Sequence, residues 1–185
     1  MPDAYLLDTS IASIAWDGGN KNHSFVRQRL VSLDEGAFIS ICSISLAEVE
    51  YGLLVSPAAD PERHAAVRNA MTQYKIWDID RNTSTVYAQL RAELFKQHSP
   101  KDKRGRLTKK QPEELRDQTT GLDLGIQEND LWIVSVAVQY NLRFITKDKM
   151  EHIRAAAIKV HSYDLIELWS LPSSSPDMFV SETPT

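Results

Sequence analysis

Four carboxylates, Asp8, Glu48, Asp130 and Asp148, stand far apart in this sequence, each beside an apolar run of the kind that builds the inner elements of an α/β domain. If those elements pack on one another, the four acids meet. Oxygen donors drawn from several chain segments suit a hard divalent cation such as Mg2+ or Mn2+. Such a cation can activate water for attack on a phosphodiester.

The elements that must position these acids alternate between short β-type runs and helical patterns, the order expected of a parallel sheet with crossover helices. Strands are predicted at 5–7, 37–42, 75–79, 142–146 and 158–161, and helices at 9–16, 23–33, 45–55, 61–74, 83–97, 129–140, 149–157 and 164–171. Residues 98–122 have no apolar periodicity and contain Pro100, Gly105, Pro112 and Gly121, which predicts a long loop or flap with at most one helical turn. The chain reads as one domain over residues 1–171 with this insertion at about 98–122, followed by a disordered tail at 172–185.

Each acid also has a plain structural explanation. Asp8 follows a strand and precedes a helix, where Asp often serves as an N-cap, although the carboxyl ends of strands in open α/β sheets are also where ligands bind. Asp130 opens an apolar helix, and Asp148 with Glu151 spells a D-x-x-E capping-box pattern. Glu48 is different, because it lies inside the helical run SLAEVEYGLL with Ile44, Ser45, Tyr51 and Gly52 at helical spacing. Buried there and unpaired, its charge would be costly. Glu50 has an equally apolar neighbourhood in Leu46, Leu53 and Leu54, so periodicity alone does not choose between the two.

Bulk properties permit a metal-dependent nuclease without selecting it. With 185 residues, 42% hydrophobic and 25% charged, the chain suffices for one core that would bury roughly 70% of its unfolded surface. Cys42 is the only cysteine, so no internal disulfide forms, which fits a reducing cytoplasm. The start does not read as a signal peptide, and no apolar stretch is long enough to span a bilayer. The net charge of -4 argues against coating nucleic acid through global basicity. Locally the balance inverts: residues 96–110 carry seven Lys or Arg against the single acid Asp102. Lys101, Lys103, Arg104 and Arg106 in that run are candidates to hold phosphates beside the acidic pocket.

The run LLDTS at the first strand's end, AEVEYG with Gly52 four residues after Glu48, ENDLWIVSVAV, and FITKD together resemble the PIN-domain ribonucleases, most of all the VapC-type toxins of bacterial toxin–antitoxin pairs. The resemblance covers about residues 5–164 and implies an α/β fold, a three-layer α/β/α sandwich around a mainly parallel sheet. It selects Glu48 over Glu50. It further implies that Asp8, Glu48, Asp130 and Asp148 hold one or two Mg2+ or Mn2+ ions. Asp8 and Asp130 would be the most direct ligands, with Thr9, Ser10, Asn129 and Thr146 in support. The implied activity is RNA hydrolysis leaving a 5'-phosphate and a 3'-hydroxyl, and the implied partners are a cognate antitoxin and a second copy of the chain. The sequence departs from the pattern at Met150, two positions after the fourth acid, where many relatives are acidic or polar.

Other readings fit less well. A catalytically silent PIN-like module that binds RNA or a partner would not need four acids. A receiver-type phospho-acceptor domain would want an adjacent acidic pair early in the chain, and Asp3 and Asp8 are not adjacent. A haloacid-dehalogenase-type phosphatase would need a D-x-D pair, and no glycine-rich phosphate loop is present. The five histidines show no paired metal spacing, and Trp132 reads as core.

Overall fold

The structure is a computed structural model that describes residues 4–33, 36–56, 60–108, 111–117 and 119–172. Lys109, Lys110 and all but the first residue of the 172–185 tail lie outside the described residues. Five parallel strands, β1 (Ala4–Leu7), β2 (Phe38–Cys42), β3 (Lys75–Trp77), β4 (Arg143–Thr146) and β5 (Ile166–Leu168), lie in the order β3-β2-β1-β4-β5. The helices are α1 (Thr9–Trp16), α2 (His23–Val31), α3 (Ser43–Val55), α4 (Pro61–Met71), α5 (Arg81–His98), α6 (Glu128–Tyr140) and α7 (Glu151–His161).

Strand alternation divides the interior in two. Tyr5, Leu7, Ile41 and Ile145 point to one face of the sheet, where they meet Ile11, Ala12 and Trp16 of α1, Val26 of α2 and Val67 of α4. Leu6, Cys42, Phe144 and Ile166 point to the other, against Leu90 and Leu94 of α5, Ile133 and Ala137 of α6 and Ile153 and Ala156 of α7. Both faces are covered, which is why the central strands read as continuous apolar runs. The result is the three-layer α/β/α sandwich. The chain runs from β1 outward through β2 to β3 and then crosses to β4 on the other side of β1. The carboxyl ends of β1 and β4 therefore flank the crevice where strand order reverses, which is the usual ligand position in such sheets.

Two predicted elements at the end of the chain are overturned. Residues 158–161 are not a strand but the last turn of α7, and 164–171 is not a helix but contains β5. The β-branched Ile158 and Val160 suggested a strand, yet Ile153, Ala156, Ala157 and Val160 follow helical spacing and face the core. Beyond them, Ile166 pairs beside Phe144 on β4, and Trp169, fully buried, donates its backbone N–H to Thr146 O at 2.7 Å. Trp169 also gives its indole N–H to Glu167 Oε1 at 2.7 Å. Trp169→Ala is expected to lower unfolding free energy by about 3–5 kcal/mol, as for other deletions of a buried aromatic ring. A urea denaturation midpoint unchanged from the wild type would refute this structural role.

The helices beside the sheet are locked at their ends. Asp80 caps α5 by accepting the Thr83 N–H at 2.8 Å, and accepts from Gln139 and Tyr140 of α6 at 3.1 and 3.2 Å. The Thr83 N–H above all, with these side-chain donors, holds its carboxyl down to about 2. The α5 and α6 pair is thereby fixed, and the first turn of α6 is placed over the carboxyl ends of the strands.

The described residues between 98 and 122 are built from turns. Residues 100–108 form one tight turn closed by an antiparallel bridge between Lys101 and Leu107, with Gly105 at φ 76°, where a side chain would be strained. A second turn is closed by a bridge between Arg116 and Asp123. A 3-10 turn at Pro112–Glu114 joins the two, and buried Leu115 anchors them in the core.

Candidate active site

Each acid reaches the cleft by a different local device. Asp8 occupies the N-cap position of α1, but its side chain makes no capping bond there. Instead its Oδ2 accepts from Ser10 Oγ at 2.6 Å and from Thr146 Oγ1 at 2.7 Å, while Oδ1 accepts from no side chain among the described residues. Thr146 in turn accepts the Asp148 N–H at 3.0 Å, so one hydroxyl joins the ends of β1 and β4. Asp130 is the third residue of α6, whose N-cap is Gln127, so capping does not account for it. The capping box suggested by Asp148 and Glu151 does not form either, because α7 is capped by Met150 in a left-handed conformation, at φ 44°.

Glu48 projects from the middle of α3. It is gripped on both oxygens: Thr9 Oγ1 donates to Oε2 and Asn129 Nδ2 to Oε1, the latter at 2.6 Å. Glu50, two residues on, turns away and forms a forked pair with Arg68 at 2.6 and 3.0 Å. The four acids line one open cleft of about 690 Å3 together with Thr9, Ser10 and Ser13.

The electrostatics of this cleft centre on Asp130. Its carboxylate accepts no hydrogen bond among the described residues. Burial, and then the neighbouring Asp8, Glu48 and Asp148, push its pKa up to about 7. Asp8 is also raised, first by burial, against the opposing effect of its Ser10 and Thr146 bonds. Crowded carboxylates of this kind retain a proton unless a cation balances them. As placed, no three His, Cys, Asp or Glu groups among the described residues form a ready-made ion cage. The donor set is nonetheless all oxygen, as hard cations prefer, and the carboxylate short of donors, Asp130, sits among the other three.

Of the residues expected to support the acids, Thr9, Asn129, Ser10 and Thr146 each bond to one of them. Lys101, Lys103, Arg104 and Arg106 are exposed on the first turn of the insertion and do not line the cleft. Sequence reasoning missed Leu124, Gly125, Gln127, Lys149 and His152, which do line it. The ring of His152 meets that of His98 edge-on at 4.8 Å, and Trp132, expected in the core, is half-buried and stacks on Tyr87 at 3.8 Å. No pairing signal exists in the sequence for these ring pairs, since they join α5 to helices distant in the chain.

The chain matches the PIN domain family over residues 5–158. It belongs to the PIN domain family. No curated protein matches it. Among solved structures, this PIN domain superposes on DNA-bound VapBC from Salmonella typhimurium with a TM-score of 0.58 at 19% identity, covering 92% of this chain and 100% of that one. VapBC2 from Rickettsia felis, bound to a promoter DNA fragment, gives a TM-score of 0.57 at 22% identity over 90% and 99% of the two chains. VapBC-5 from Mycobacterium tuberculosis, of the VapBC family of toxin–antitoxin systems, gives 0.50 at 21% identity over 90% and 98%. Likeness at this identity establishes a shared fold. No helix among the described residues is long and apolar enough to cross a membrane.

Proposed function

We propose that this PIN domain is a divalent-cation-dependent endoribonuclease and the toxin of a toxin–antitoxin pair, working in the cytoplasm as a homodimer. The observation that carries the reading is Asp130, a carboxylate without a hydrogen-bond donor among the described residues, raised to about 7 amid three other acids. Asp8 and Asp130 would hold the cation most directly, with Glu48 and Asp148 completing its surroundings. A bound Mg2+ or Mn2+ would supply the acidified water and the counter-charge that phosphodiester hydrolysis needs. The protein's part is positioning. Ser10 and Thr146 fix the rotamer of Asp8, and Thr9 and Asn129 fix that of Glu48, so that the carboxylates are pre-arranged before substrate arrives.

The basic turn fits a phosphate grip. Its single acid, Asp102, is occupied by the backbone, accepting from Arg104 N–H at 2.8 Å and Arg106 N–H at 2.9 Å. Among the described residues, no ion pair engages Lys101, Lys103, Arg104 or Arg106. Joint replacement of Lys103, Arg104 and Arg106 by Ala is expected to weaken RNA binding and flatten its salt dependence by about 0.7 in log–log slope for each phosphate that is no longer neutralised. An unchanged slope would make the turn a solvated insertion.

Support for the antitoxin partner is that the solved structures sharing this fold include VapBC toxin–antitoxin proteins. The decisive test incubates the chain with structured RNAs in Mg2+ or Mn2+ and in chelator. Cleavage is expected only with the cation, and cleavage that survives chelation would refute the proposed chemistry.

A further inference from the structure

The segment that follows the insertion and leads into α6 forms a wall of the acidic cleft, contributing Leu124, Gly125 and Gln127. This wall is held from several sides. Leu124 N–H donates to Leu115 O at 3.1 Å, and Leu115 and Ile126 are buried in the core shared with α5 and α6. Glu113, in the 3-10 turn, accepts the Glu128 N–H at 3.1 Å. The Glu128 carboxylate accepts from Tyr87 Oη at 2.6 Å, and Arg91 links Tyr87 to Gln111. Gly125 adopts φ 65°, and this turn sends Ile126 into the core while residues 125 and 127 stay on the cleft.

Gln127 is the distinctive member. It stands at the N-cap of α6, three residues before Asp130, yet makes no capping bond. Its carboxamide has no hydrogen-bond partner among the described residues and is exposed to the cleft. Much of the rest of the cleft is charged, with Asp8, Glu48, Asp130, Asp148, Lys149 and Glu151. A neutral amide beside an aliphatic side chain on a rigid wall is poorly suited to a phosphate. It is well suited to an unpaired nucleobase, which is read in single-stranded RNA by packing against its face and hydrogen bonds to its edge.

The geometry points to a base-recognition subsite formed by Leu124 and Gln127 for the nucleotide beside the scissile phosphate, with adenine preferred. Leu124 covers the base, and the Gln127 amide gives one donor and one acceptor in a single plane, the complement of the Hoogsteen edge of adenine, where N6 and N7 alone among the four bases set a donor beside an acceptor. This inference rests on the nuclease reading for the identity of the substrate.

Binding can be measured without turnover. Hexanucleotides of A, C and U are titrated against Asp130→Asn and against Asp130→Asn/Gln127→Ala, while the wild-type chain and Gln127→Ala are assayed for cleavage of a randomised RNA. In the Asp130→Asn background A6 is expected to bind about 5- to 100-fold more tightly than U6, the range for one bidentate hydrogen-bonded pair with a base. Adding Gln127→Ala should bring that ratio close to 1, and cleavage beside A should lose its advantage in the same proportion. Because the readout is a ratio between RNAs on one protein, a uniform loss of affinity does not imitate it, and an unchanged urea midpoint for Gln127→Ala separates it from unfolding. Equal binding of the three oligonucleotides, or a ratio that survives Gln127→Ala, overturns the subsite even if RNA is cleaved. A preference for A6 that depends on Gln127, in a chain that cleaves no RNA, upholds the subsite and rejects the nuclease reading.

Discussion

Asp130→Asn is expected to reduce cation-dependent RNA cleavage by about 1000-fold or more, on the scale of losing a principal charge-stabilising group, and at the same time to stabilise the protein in chelator at neutral pH. The two effects have one cause. Asp130 is partly buried, lacks a hydrogen-bond donor among the described residues, and faces Asp8, Glu48 and Asp148. In the unfolded chain its carboxyl ionises near 3.8, whereas in the folded protein it does so at about 7. Between those values the folded state holds the extra proton. The favourable contribution of the protonated group is therefore complete below pH 3.8 and is lost as pH rises through about 7. Asn carries no charge and escapes the penalty. In chelator the variant should exceed the wild type by about 1–3 kcal/mol at pH 8, allowing for partial exposure of the group, with the gap closing toward pH 4. Urea denaturation across that range measures it. A gap that is absent at pH 8 or constant with pH would mean that the acids do not repel one another as described. Added Mn2+ should then stabilise the wild type more than Asp130→Asn, since only the former has the full donor set.

Glu48→Gln is expected to cut cleavage by about 100-fold, the order of loss for a group that acts on charge developing in the transition state, whereas Glu50→Gln leaves the rate close to that of the wild type. The two glutamates are separated by a single residue on the same helix and have similar apolar neighbours, so the comparison controls for helix propensity and local packing. Glu48 is held between Thr9 and Asn129 in the cleft, and Glu50 is held by Arg68 outside it. Gln at position 48 keeps the size of the side chain but removes charge. It also sets an amide nitrogen against one of two donors, Thr9 or Asn129. Equal rates for the two variants would remove Glu48 from the site.

How much of this was legible in the sequence depends on the range of the interaction. The strands 5–7 and 142–146 and the helix 9–16 announced themselves because their residues are apolar on both faces or at helical spacing, a local property. The closing strand did not. Three residues, Ile166 to Leu168, are too short to show a period, and they become a strand only by pairing with β4. The N-cap readings failed in the same way: Asp8 and Asp148 stand where caps stand, but Thr146 draws one side chain into the cleft, and the left-handed Met150 caps α7 two residues after the other.

The sequence by itself determined the fold class and set Asp8, Asp130 and Asp148 beside apolar runs, because alternating strand and helix patterns are written in nearest neighbours. It left Glu48 and Glu50 equivalent by periodicity, gave no sign of Gln127, and showed the insertion only as a polar stretch. Tertiary structure decided those points. Which glutamate meets Thr9 and Asn129 depends on the meeting of segments separated by 39 and 81 residues. Only packing brings such segments together.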